Sequence, residues 1–280
     1  MNFKKFIYPE HNLEPFEHYF ARRYYAENPE LEYKYIPVPW TSYYVLDCNY
    51  GRDQAKIKEL QEYINWLEYD KVFAVVQYAN GILNDLSKFK DVKVFAMGGK
   101  GYEGKNCEMI PIPLLATPYQ KEMNFERKFL ASFVGRFDTH SCRKQLFRII
   151  KSMNSSQYYY SEDMRGIHDY CEMMAKSIFA LCPRGYGISS FRIVEAMQYG
   201  AIPVYISDIF WEPYGIPITD YCVKITLDQI NYLPEILINT VRDTARIDYL
   251  KENIKVLMKT HFNYEACYEW IINKLKEYGK

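Results

Sequence analysis

The chain has 280 residues, of which 49% are hydrophobic, and its 35 basic and 35 acidic side chains cancel. That size accommodates one large or two smaller domains with substantial cores, and the composition excludes a disordered chain. A zero balance lacks the basic excess of an electrostatic nucleic-acid binder, so no nucleic-acid partner is expected, although a local basic pocket stays open.

Aromatic residues reach 17%, with 28 tyrosines, whose apolar ring and polar tip suit sugar and nucleotide contacts as well as core edges. The seven cysteines form no Cys-x-x-Cys pair and no zinc-like spacing with histidine. They predict reduced thiols, no metal site and a reducing compartment. The start, MNFKKFIYPEHNLEPFEHYF, lacks the apolar stretch of a signal peptide, and no run approaches the ~18 apolar residues of a membrane span. A cytoplasmic, soluble protein without a transmembrane segment is the expectation.

In chain order, residues 1–36 show weak periodicity and read as irregular with a short helix. TSYYVLDC (41–48) reads as a strand, and 52–70 as an amphipathic helix with Ile57, Leu60, Ile64 and Leu67 on one face. KVFAVVQY (71–78) and VKVFAMGG (92–99) are apolar runs typical of strands buried on both faces, followed by EMIPIPL (108–114). A polar stretch containing Pro118, residues 116–128, reads as a linker. The alternation then restarts: strands at 129–135, 157–161, 178–182, 201–206 and 221–225, and helices at 141–153, 166–177 and 189–200. From about 228 the tail reads as helical, broken near 260–263. Strand–helix alternation predicts an α/β architecture of two successive Rossmann-like units. The divisions are 1–120, 121–260 and a C-terminal helix, 261–280, returning to the first domain.

The stretch CPRGYGISSFRIVEA (182–196) concentrates chemistry at the carboxyl end of a strand, where ligands of open α/β sheets bind. Gly185 and Gly187 offer positive φ and close approach, Ser189 or Ser190 an N-cap, and the helix start an anion site. Arg184 supplies a planar fork for phosphate. Glu195, six residues beyond Ser189, lies about 9 Å along a helix, a distance that fits a ribose beyond a diphosphate. A plain capped helix with an Arg192–Glu195 ion pair is the competing reading. The pattern is neither a dinucleotide fingerprint nor a P-loop. A second junction, SFVGRFDTHSCRKQLF (132–147), again joins glycine (Gly135) to basic groups (His140, Arg143).

FVG, THSCR and MMAKSIFALCPRGYGISSFRIVEAMQYGAIPVYISD together closely resemble the exostosin family of glycosyltransferases, with greatest specificity over 129–212. The resemblance implies a GT-B-like fold, two facing Rossmann-like domains with a cleft between them. It also implies inverting transfer from a UDP-sugar, with the donor held by the second domain. Donor contacts are then Gly135, His140, Arg143, Arg184, Gly185, Tyr186, Ser189, Ser190, Phe191, Arg192 and Glu195. Where such relatives carry acidic residues after Gln-Tyr, this chain has Ala79 and Asn80, so no base is assigned there.

No Asp-x-Asp occurs in the chain, so metal-free neutralisation of the departing diphosphate by arginine and helix amides is expected, with no cofactor. The partners expected are a UDP-sugar and a glycan acceptor. Xylose is the favoured sugar, and no oligomeric state is implied. Trp40, Tyr43 and Tyr44 are assigned to the acceptor side, with a core role for Trp40 as the alternative. Asp47, at the end of the predicted 41–48 strand, is assigned as base, with Asp53, His140 and Asp138 as competitors. A catalytically silent sugar- or nucleotide-binding protein and a nucleotide-sugar epimerase are the other classes consistent with the pattern.

Overall fold

A computed structural model gives the fold and describes residues 4–279, apart from 10, 103, 119–122 and 163–165. The chain forms two compact units. One runs up to Thr117 and regains the segment from Asn263, and the other runs from Pro118 to Phe262. Of the predicted linker 116–128, residues 119–122 lie outside the described residues.

The first unit holds four parallel strands, β1 (Lys34–Tyr35), β2 (Lys71–Val76), β3 (Asp91–Ala96) and β4 (Cys107–Pro111), in that spatial order. Strands β2 and β3 are buried along nearly their whole length, as continuous apolar runs require when both faces are covered. Helix α1 (Phe16–Glu27) packs on this sheet: the Phe20 ring lies 5.9 Å from Phe73 of β2. The last helix of the chain (Tyr264–Tyr278) joins the same core, with Tyr268 5.1 Å from Phe20.

Residues 41–48 are not a strand. Helix α2 (Trp40–Ser42) continues as a π-helical turn over Tyr43–Asp47, and the short β1 precedes it. Pro39 stands at the N-cap, and the first-turn donors meet a carboxylate. Thr41 N and Thr41 Oγ1 donate to the two Glu17 oxygens, each at 2.9 Å. Trp40, Tyr43 and Tyr44 then bury one side of the turn, so tertiary packing overrides the β preference of the aromatic run. Helix α3 (Gln54–Asn65) follows, with Asp53 as its N-cap.

The second unit contains β5 (Phe129–Val134), α4 (Ser141–Met153), β6 (Tyr158–Ser161), α5 (Ile167–Ala175), β7 (Ser177–Pro183), α6 (Phe191–Gln198), β8 (Ile202–Ile206) and β9 (Val223–Ile225). Helices α7 (Leu233–Arg242) and α8 (Thr244–Thr260) close it, and α9 is the Tyr264–Tyr278 helix of the first unit. All strands are parallel, in the order β6-β5-β7-β8-β9. Counted along the chain this is a 2-1-3-4-5 doubly wound sheet, whose strand order reverses between β5 and β7. That reversal opens a crevice beyond the carboxyl ends of those two strands, where such sheets hold ligands. All seven cysteines are free, and among the described residues no helix is long and apolar enough to cross a membrane.

Candidate functional site

Both motifs read from the sequence meet at this reversal. Gly135 directly follows β5, and Arg184 directly follows β7. Gly135 adopts φ 143°, and a Cβ there would stand 2.7 Å from Arg192 Nη2, so only glycine fits. Gly185 and Gly187 are not in the positive-φ region, contrary to expectation. At Gly185 the constraint is proximity: a Cβ would lie 3.1 Å from Arg143 Nη2.

Two of the expected donor contacts bind the protein's own backbone. Arg143 is buried, and its guanidinium donates to three carbonyls: Nε to Arg184 at 2.9 Å, Nη1 to Arg136 at 3.0 Å and Nη2 to Pro183 at 3.2 Å. Arg192 is also buried and donates through Nη2 to the Val134 carbonyl at 2.6 Å, its guanidinium 4.4 Å from the Phe133 ring centroid. The fork that suits a phosphate suits convergent carbonyls equally well. These arginines tie the carboxyl ends of β5 and β7 together.

Glu195 is likewise internal, 2% exposed, with the Tyr170 hydroxyl donating to Oε2 at 2.6 Å. Burial pushes its carboxyl up, outweighing the Tyr170 hydrogen bond and the Arg192 charge. The carboxylate expected to face a ribose is held inside the unit, against Tyr170 of α5. His140 caps α4 through Nδ1, which accepts from Cys142 N at 3.3 Å. Burial and the Arg184 charge lower its pKa, so the ring is neutral at neutral pH.

What remains facing outward is a smaller set. Ser190 caps α6, its Oγ accepting from Arg192 N at 3.4 Å. Tyr186, at the loop tip, is 77% exposed. Ser189 and Phe191 are half-buried beside it. Arg184 is 13% exposed and pairs through Nη1 with Asp208 Oδ1 at 2.6 Å, while its Nε is buried without a hydrogen-bond partner. Thr139 Oγ1 is buried without a partner too, 3.8 Å from the place a Gly185 Cβ would take. Two unsatisfied donors beside a helix start are what an anion would satisfy. Asp208 follows β8; burial raises its carboxyl, but the Arg184 hydrogen bond and charge outweigh that and hold it below the usual carboxylate range. Thr139 and Asp208 were not singled out from the sequence, although both lie in the stretches, THSCR and the one ending YISD, that carry the family resemblance.

The fold is that of the GT-B glycosyltransferases. It matches the crystal structure of TarM at a TM-score of 0.51 and 11% identity, over 78% of this chain and 53% of that one. Sucrose-phosphate synthase from Thermosynechococcus elongatus gives the same TM-score and identity over 79% of this chain and 71% of its own. The family model of the exostosin GT47 domain matches residues 81–239, more than half of the chain. The chain belongs to the exostosin GT47 family of glycosyltransferases. The Caenorhabditis elegans exostosin-1 homolog is 35% identical over 89 residues, 31% of this chain and 23% of that protein. The Arabidopsis thaliana probable β-1,4-xylosyltransferase IRX10L is 41% identical over 70 residues, 24% of this chain and 17% of its own length. The matches thus span less than a quarter of these curated relatives. Every donor-side residue of this exostosin domain lies inside the family match, whereas Trp40, Tyr43, Tyr44 and Asp47 precede it.

Trp40 takes the core role given as its alternative, and Tyr43, Tyr44 and Asp47 are placed differently from expectation. Trp40 and Tyr44 are fully buried, Tyr43 nearly so, and the tyrosine hydroxyls are engaged: Tyr43 with the Lys56 carbonyl at 2.7 Å, Tyr44 with Asn84 Oδ1 at 2.9 Å. They are core rather than an open face for a sugar ring. Asp47 is half-buried at the end of the π-helical turn, not at a strand end. A carboxylate the sequence did not single out does sit at the carboxyl end of β2. Glu17 is fully buried, accepts from Gln77 N at 2.6 Å as well as from Thr41, and burial pushes its pKa up to about 7 against those hydrogen bonds. Its only sequence signal is a glutamate between two core-facing phenylalanines, Phe16 and Phe20.

Proposed function

We propose that the chain is an inverting glycosyltransferase that moves a sugar from a UDP-sugar to a glycan acceptor without a metal, in the cytoplasm. The observation that carries this reading is Arg184. Its guanidinium, with an unsatisfied Nε, directly follows β7 at the strand reversal, in the loop that leads to the capped start of α6. A departing diphosphate there gains an arginine, helix amides and the Thr139 hydroxyl, which neutralise charge in the role a metal plays elsewhere. The exposed Tyr186 ring is available to the nucleoside. Inversion requires a group that takes the acceptor hydroxyl's proton, and Asp47 remains the residue proposed for it. Xylose is the sugar to test first, supported by the name of the Arabidopsis relative. The free cysteines support a reducing compartment.

The test is a thermal-shift screen against UDP-sugars, followed by transfer assays with and without excess EDTA. Stabilisation by UDP and UDP-xylose with EDTA-resistant turnover is expected. Activity lost to EDTA and restored by manganese rejects metal independence, and stabilisation by another nucleotide-sugar alone rejects xylose.

A further inference from the structure

Helix α4 carries a charge pattern that the donor side leaves unused. It contains Arg143, Lys144, Arg148 and Lys151 and no acidic residue. Every other α-helix except the three-residue α2 contains at least one Asp or Glu. Arg143 turns inward to its three carbonyls. Lys144, Arg148 and Lys151 are exposed, and their side chains make no hydrogen bond or ion pair among the described residues. With Phe147 they stand at i, i+3, i+4 and i+7, one face of the helix, in a row about 10 Å long.

A solvated surface intersperses both signs. Here only Lys151, in the last turn, occupies a place that the helix dipole favours. Asp138, ahead of α4, is taken by Arg136, whose Nε and Nη2 donate to it at 3.0 and 2.7 Å. Glu162, after β6, accepts from Phe137 N at 3.3 Å. Aromatic rings lie among the free cations. Lys151 Nζ stands 5.7 Å from the centroid of the half-buried Phe147 ring, and Tyr160 of the edge strand β6, itself exposed, meets Phe147 edge-on at 5.7 Å. A helix flank is convex and gives no cleft to a small anion or an extended peptide. A planar array of phosphates meets such a row along its whole length. Rings between the cations suit the headgroup level of a bilayer, where aromatics gather and Lys and Arg stems reach to phosphate.

We propose that this face of α4 docks on the surface of an anionic phospholipid bilayer, with Lys144, Arg148 and Lys151 at the lipid phosphates and Tyr160 beside them at the headgroup level. The chain has no net charge, so its bulk attraction to such a surface is nil and the α4 face must supply it. Three cations give a peripheral, reversible association, far weaker than a membrane span. The proposal stands apart from the donor residues and from the reaction they serve.

The full chain is sedimented with vesicles of phosphatidylcholine alone and of phosphatidylcholine mixed with phosphatidylserine. It should bind the mixed vesicles about 10²-fold more tightly, at about fivefold per cation, and should leave them at about 0.5 M salt. Arg148→Gln and Lys151→Gln together should weaken binding about 30-fold with melting unchanged. Lys144→Gln, with a loss of about fivefold, carries the test if the double variant melts lower. Lys251→Gln with Lys255→Gln removes the same charge from the exposed side of α8 and should change nothing. No binding to the mixed vesicles, equal binding to neutral ones, binding that survives the α4 substitutions, or an equal loss in the α8 variant each overturn the proposal. So does binding to heparin without binding to vesicles, which assigns the face to a soluble polyanion.

Discussion

The Arg143 guanidinium donates to the main-chain carbonyl of Arg184 at 2.9 Å. Two arginines expected to share one anion are thus arranged in series, the first holding the backbone of the second. Arg143→Lys keeps the charge but cannot reach three carbonyls at once. It should cost about 3 kcal/mol of stability in urea denaturation. A variant as stable as the parent would show that the three bonds contribute nothing net.

Arg184 should behave oppositely. Its pair with Asp208 is partly exposed, and its Nε has no partner to lose. Arg184→Gln should change stability by about 1 kcal/mol or less. UDP affinity should fall by about 1.5–3 kcal/mol, read by calorimetry. Unchanged UDP affinity removes Arg184 from the site.

Glu195 lies under Tyr170 with almost no exposure. Glu195→Gln should lower stability by about 1–3 kcal/mol through a mismatched buried hydrogen bond. UDP affinity should move by less than about threefold. A large loss of UDP affinity with unchanged melting would restore the carboxylate to the ribose.

Glu17 predicts a pH dependence. Burial lifts its pKa from 4.5 to about 7 in the folded chain, so the folded state binds its proton more tightly than the unfolded state does. The stabilisation this provides is complete below about pH 4.5 and is lost as pH rises through about 7, by roughly 3 kcal/mol in all. Glu17→Gln should flatten the stability profile between these limits. Parallel profiles for the two proteins would refute the assignment.

Asp47→Asn preserves shape and removes basicity. It should lower kcat by about 10²–10⁴ with UDP binding intact. Near-normal kcat moves the search to Asp138, which pairs with Arg136 on the surface, and to the neutral His140.

The sequence by itself determined the buried strands and the place where chemistry gathers. Runs such as VFAVV and IFALC are apolar at every position, and a strand can be so only when both its faces are covered. Parallel α/β layers follow from that. Ser190 caps its helix as its residue type dictates, and Arg184 follows a strand end, because both are local facts. What a side chain meets across the sheet is not local. Arg192 and the Val134 carbonyl are 58 residues apart, and only the adjacency of β5 and β7 joins them. The same holds for TSYYVLDC. Its residues suit a strand in isolation, yet Glu17 of α1 receives the Thr41 donors and turns the segment into a helix. Charged and aromatic side chains take their roles from whichever partner the tertiary structure brings within reach. Polar contact is short-ranged, and an unpaired buried group is too costly to leave.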